Sequence, residues 1–201
     1  MPRMKWLLTV ILIALTTVAR SKTTENNTAE DNSVVIVSSY NPDVKNISDN
    51  LSAFYEECTK QRLSNPIALE DIHAQNLPEC FTWKERLWNI LRKYYVGGKK
   101  PAAIVLLGNE ANAAFFSTDR QELKATPVIV GMGSATCVKL PDNDTTDLKQ
   151  WNPKPYNLTR DFKDFNIVGG RLYHYDIKKN IELINRFYAK RDTLVFVSDN
   201  T

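Results

Sequence analysis

Val34–Asn41 reads VVIVSSYN, and the rest of the chain is arranged around this stretch. Val34, Val35, Ile36 and Val37 are four consecutive β-branched residues with no polar alternation, the pattern of a strand covered on both faces. The run ends abruptly in Ser38, Ser39, Tyr40 and Asn41, then Pro42. A buried strand that delivers polar side chains at its C-terminal tip is how open α/β sheets build ligand crevices. The same grammar recurs in AAIVLLGNE from Ala102, TPVIVGMGS from Thr126 and TLVFVSDNT from Thr193.

Between these strands lie helical periods. Ile47, Leu51, Phe54 and Cys58 form one apolar stripe of a helix over about 47–62, with Asn46 as its expected N-cap. Ile67–Ile72 reads as a shorter, more polar strand nearer the sheet edge. Thr82-x-x-Glu85 is a capping-box pattern in front of Trp83, Leu87, Ile90, Leu91 and Tyr94, and Gly97-Gly98 stops that helix. A short Ala-rich helix spans about 110–117, and the fourth strand, Pro127–Val130, ends in Gly131-Met132-Gly133-Ser134. The period fails over 135–165, a length that suggests a lid or an irregular excursion. Asn166–Tyr173 resumes as a strand, Asp176 caps a helix carrying Ile177, Ile181, Ile184 and Tyr188, and Thr193–Val197 is a further strand. Alternating strands and helices predict a parallel sheet with right-handed crossovers, in the order 2-1-3-4-5 with Val34–Val37 inside it. The final strand has no helix after it, so we expect a chain cut where a second lobe begins.

At 201 residues, 43% hydrophobic and 24% charged, the composition is globular and supports one sizeable core. The net charge of +3 falls to zero once Arg3, Lys5 and Arg20 leave with residues 1–21, which are laid out as a secretory leader. Arg3 and Lys5 precede an apolar run, Trp6 to Val18, that is short for a membrane span. A cleaved signal peptide and an uncleaved signal anchor both fit, and 22–32 is a polar linker. No basic stripe with interleaved aromatics is present, so no nucleic-acid partner is expected. Cys58, Cys80 and Cys137 are too few and too scattered for a disulfide framework, and we expect all three to stay reduced.

Enzyme motifs are lacking. GMGS at 131–134 holds two glycines of a dinucleotide fingerprint without the third, and Ser134 misses the G-x-S-x-G elbow. His73, with Asp71 and Cys80 near it in sequence, matches no usual metal-ligand spacing. No cofactor and no metal are expected. The strand tips supply the candidate ligand-binding residues: Ser39, Tyr40 and Asn41 after the first strand, Asn109 and Glu110 after the third, Met132 and Gly133 after the fourth. Each also has a plain structural explanation, as a cap, a turn or a glycine backbone requirement. If they do form a site, they gather at one sheet edge and line a concave surface. Tyr173, His174 and Tyr175 add an aromatic wall beside it.

Taken in order, the leader, VVIVSSYNPD, WKERLWNILRKYY, KKPAAIVLLGNEA, TPVIVGMGS, the Gly169-Gly170 to Asp176 passage and TLVFVSDNT resemble a known group. They are similar to the type I periplasmic-binding-like sensor regions at the N-terminus of membrane-bound two-component sensor histidine kinases, relatives of ABC transporter substrate-binding proteins. The resemblance covers about residues 33–201. It implies two flavodoxin-like lobes, three-layer α/β sandwiches with a small-molecule ligand between them, the first over 33–191 and the second starting at 192–201. It further implies periplasmic export, attachment to the inner membrane through the leader or a downstream span, room for a homodimer, and a kinase further along rather than catalysis in this region. A soluble solute-binding protein serving an ABC transporter is the alternative.

Overall fold

The computed structural model describes residues 32–143, 146–188 and 193. The leader, nearly all of the linker and the strand expected from Thr193 lie outside these residues.

The Val34–Ser38 run forms β1, in which all five residues are buried. It is an interior strand, paired in parallel with β2, Ile67–Asp71, on one side and with β3, Ala103–Leu107, on the other. Beyond β3 come β4, Val128–Ser134, and β7, Ile167–Tyr173, giving a five-stranded parallel sheet in the order β2-β1-β3-β4-β7. This is the expected arrangement, the fifth strand being the one read at 166–173. Helices cover both faces, so the fold is a flavodoxin-like three-layer α/β sandwich.

Side-chain alternation along the strands divides the core in two. Val34, Ile36, Ala103, Val105 and Ile129 face α1, Lys45–Lys60, whose Ile47, Leu51, Phe54 and Cys58 pack against them. Val35, Val37, Ile104, Leu106, Val128 and Val130 face the other way. There they meet Trp83, Leu87 and Leu91 of α2, Cys80–Leu91, and the Ala111–Phe116 segment of α3, Asn109–Phe116.

Several local expectations need correction. Helix α1 starts at Lys45 after Val44, which makes no side-chain cap; Asn46 therefore lies within the first turn and is not its N-cap. The Thr82–Glu85 capping box does not form. A 3-10 turn, Leu77–Glu79, with proline at its start runs straight into α2, so Thr82 is already helical and its hydroxyl donates back to the Glu79 carbonyl. Glu79 instead pairs with Arg86 of α2. A five-residue helix, α4 at Gln121–Ala125, precedes β4 and had no periodic signal.

The 135–165 excursion is part of the core and not a lid. It contains an antiparallel pair, β5 Thr136–Val138 with β6 Pro155–Asn157, and a short helix, α5 Leu158–Asp161, capped by the Asn157 side chain. Leu140, Leu158 and Phe162 are buried against the α3 face, where the Phe162 ring lies tilted and the Phe165 ring edge-on to Phe116, at centroid distances of 4.8 and 5.0 Å. Gly170, at φ +143°, is confined to glycine because a Cβ there would lie 2.0 Å from the Val130 carbonyl oxygen. The last described helix, α6 Ile177–Phe187, is capped by Asp176 and buries no side chain.

Candidate functional site

The crossovers leaving β1 and β3 set the geometry. Helix α1 follows β1 on one face of the sheet, and α3 follows β3 on the opposite face. These two strands are neighbours, so their connections diverge and leave a crevice beyond the strand ends. Tyr40 stands on one side of this switch point, and Asn109 and Glu110 stand on the other.

Gly108 allows the two sides to touch. Its φ is +103°, and a Cβ would fall 2.4 Å from Ser39 Oγ and 2.9 Å from the Tyr40 ring. The Ser39 hydroxyl accepts the Ala111 N–H at 2.8 Å and is fully buried. It thus satisfies one of the free N–H groups at the start of α3 and pins β1 to that helix. Ser39 is a structural joint and does not line the crevice as expected. Asn41 is exposed, and its Oδ1 accepts the Asp43 N–H at 2.9 Å, an Asx turn leading towards α1.

Across the switch point, the exposed Asn109 accepts the Ser134 N–H on its Oδ1 at 2.7 Å, tying α3 to the tip of β4. The strand β4 does not end at Val130. It continues through Ser134, with an irregular register between Val130 and Gly133, because β7 keeps pairing with it, Leu172 to Gly133 and Tyr173 to Ser134. Met132 sits in that irregularity at φ +55°, a conformation a non-glycine residue holds only when its surroundings impose it. Its sulfur packs towards the α1 face, 4.0 Å from the Asn50 amide nitrogen. The structure therefore brings Tyr40, Asn109, Glu110, Met132 and Gly133 together at the C-terminal edge of the sheet, with Ser39 beneath and Asn41 at the rim.

The polar chemistry of this edge is unfinished. Glu110 Oε2 and both amide atoms of Asn112 are covered and have no hydrogen-bond partner; these are three of five such side-chain atoms among the described residues. Tyr40 is half-buried, and its hydroxyl is pushed up to about 12 by burial, then by the adjacent Glu110 carboxylate and by Tyr175. Asn112 was not among the residues expected here. It is 1% exposed and sits so close beneath the β4 tip that a Cβ on Gly133 would lie 2.6 Å from its Nδ2. The signal was an asparagine three residues after Asn109, on one helix face, inside the otherwise apolar ANAAFF.

Elsewhere the polar groups pair mostly with one another. A cavity of about 320 Å³ near the C-terminal end of α3 is lined by Phe116, Lys124, Lys139 and Asp161 among others. Four of the charges at or beside it pair locally, Lys124 with Asp119 at 2.6 Å and Asp161 with Arg160 at 2.8 Å, and Lys139 lies over the Tyr156 ring. His73 pairs with Asp71 at 3.0 Å, while Cys80 is in the core. Among the described residues no three His, Cys, Asp or Glu side chains converge as a metal site, and no helix is long and apolar enough to cross a membrane. No protein-family model matches the chain, and no curated protein matches it either.

Proposed function

We propose that this chain is the first lobe of an extracytoplasmic small-molecule sensing domain, carried by a membrane-bound sensor histidine kinase, and that its role is ligand recognition and not catalysis. The ligand sits in the crevice beyond β1, β3 and β4, with a second lobe closing over it. The observation that carries the reading is the departure of the β1 and β3 crossovers to opposite faces of the sheet, with Tyr40, the exposed Asn109 and Gly133 gathered beyond the strand ends. Open α/β sheets bind ligands in the crevice that such a switch point leaves.

The test uses the full-length protein and a panel of small metabolites screened by thermal shift. Changing Tyr40 and Asn109 together to Ala should abolish binding of any metabolite found, with the melting temperature falling by only about 5 °C or less. Unchanged affinity in the double variant refutes the crevice. The reading frame beyond Thr201 separates sensor from transporter component. A membrane span and kinase core support the sensor, and a stop after a second lobe makes the protein a soluble solute-binding protein instead.

A further inference from the structure

The two edges of the sheet differ in charge. The connections 61–66 and 92–102, which lead into β2 and β3 at the N-terminal edge, hold Arg62, Arg92, Lys93, Lys99 and Lys100 and no Asp or Glu. Their counterparts at the C-terminal edge, 39–44 and 72–79, hold Asp43 and Glu79 and no Lys or Arg. Lys93 pairs with Glu70 at 2.7 Å. Arg62, Arg92, Lys99 and Lys100 are exposed and belong to no ion pair among the described residues. Cations offset the negative pole of a helix C-terminus, which accounts for Arg62 after α1 and Arg92 after α2. It accounts neither for Lys99 and Lys100 nor for Val96, an apolar side chain left 67% exposed just before them.

The chain enters the fold between these two connections. The Ala102 N–H donates to the Ser33 carbonyl at 2.8 Å, and the Val34 N–H donates to the Pro66 carbonyl at 2.8 Å. The Asn65 side-chain amide donates to the Asn32 carbonyl at 2.5 Å. Upstream, only residues 19–32 separate this point from the apolar run Trp6–Val18, at most about 50 Å of extended chain. A bilayer that holds the run therefore keeps the basic edge close to its surface.

We infer that the N-terminal edge of the sheet docks on an anionic phospholipid surface, with Val96 entering the headgroup layer and Arg62, Arg92, Lys99 and Lys100 meeting lipid phosphates. This rests on the membrane-bound reading proposed above and is independent of the crevice, which lies at the opposite edge and stays open when the lobe is docked. Basic residues strengthen attraction to an anionic surface about fivefold each, and an exposed apolar side chain adds burial in the interface. Glu25, Glu30 and Asp31 of the linker, against Lys22, offset two of the charges, so the docking is reversible and sensitive to salt.

The test uses the full chain with an environment-sensitive fluorophore on Val96→Cys, the three native thiols being buried. A second sample carries the label on Gln75→Cys, exposed at the C-terminal edge. Both are mixed with vesicles of phosphatidylcholine alone or with added phosphatidylglycerol, and flotation reports attachment through the apolar run. The label at position 96 should shift to the blue on the phosphatidylglycerol vesicles and not on the neutral ones. The shift should vanish with Lys99→Glu and Lys100→Glu together, and in about 0.5 M salt, where the Debye length is about 4 Å. The label at position 75 should stay unchanged throughout. Flotation without a shift at position 96, equal shifts on both lipids, or equal shifts at both positions each overturn the docking and leave membrane attachment standing. A response to a DNA duplex in place of the vesicles overturns it in favour of a nucleic-acid surface. Failure to float with either vesicle refutes attachment through the leader, and the docking falls with it.

Discussion

Gly133→Ala is expected to destabilise the fold, and Asn112→Ala is expected to cancel that effect. The new methyl group would stand 2.6 Å from Asn112 Nδ2, 3.3 Å from Asn109 Oδ1 and 3.5 Å from the Gly108 carbonyl carbon. The first distance is well inside van der Waals contact, and Asn112 at 1% exposure has little room to withdraw. Overpacking of this kind costs about 1–3 kcal/mol. Asn112→Ala alone removes two covered polar atoms without partners, and such a group costs about 1–3 kcal/mol when unsatisfied. Against that stands a small cavity, at about 24 cal/mol per Å³. We expect the single Asn112 variant to be neutral or up to about 1 kcal/mol more stable, unlike most buried truncations. In the double variant the methyl group introduced at position 133 occupies the vacated space, so the two changes should couple by about 1–3 kcal/mol. Urea unfolding followed by tryptophan fluorescence, with the slope unchanged between variants, reads this directly. Free energies that add to within about 0.5 kcal/mol would mean that Asn112 and Gly133 do not touch, and the polar gap at the head of α3 would lose its basis.

Stability should also fall in alkaline solution. Burial pushes the hydroxyls of both Tyr40 and Tyr95 up to about 12, so the folded state holds protons that the unfolded chain releases near pH 10. The contribution is complete below about pH 10 and is lost as the pH rises towards 12. Melting temperatures measured across that range should drop less steeply for Tyr95→Phe, which leaves the Thr126 hydroxyl its bond to the Glu122 carbonyl; an unaltered slope contradicts this. The three thiols should resist a disulfide-exchange reagent in the native protein, since burial raises Cys58 to about 11 and Cys137 to about 12. All three should react after unfolding without reductant, and a count below three would reveal a bridge. The sheet itself stands between Cys58 and the other two, which lie in the opposite core.

What the sequence disclosed followed from the strength of each local signal. Unbroken apolar runs at Val34–Val37 and Ala103–Leu107 could be satisfied only inside a parallel sheet, so strand order and the tip residues were both legible. Short elements were not. The strands Thr136–Val138 and Pro155–Asn157 have three residues each, too few for a period, and are held by the Phe116–Phe162–Phe165 cluster. Ser39 looked like a ligand group because a strand tip and a helix joint call for the same side chain; only the 2.8 Å bond from Ala111 separates them. Asn112 was hidden for the opposite reason, since one polar residue among alanines and phenylalanines hardly disturbs an apolar pattern.

The interior position of β1 also sets a timetable for folding. It is the first strand of the sheet to be synthesised, yet its register joins Val34 to Ala103 and Ser38 to Leu107. Contact order is therefore high at the fold's most apolar segment, and loop closure must precede the reward. Helices α1 and α2 and strand β2 are all made before β3, but until β3 arrives the other edge of VVIVS has no partner. It has no proline and no charge to prevent intermolecular pairing. For an exported chain, as proposed here, the delay is useful. A polypeptide that cannot close its sheet early stays threadable, and on that proposal the strand that organises the finished lobe would also delay folding until after translocation.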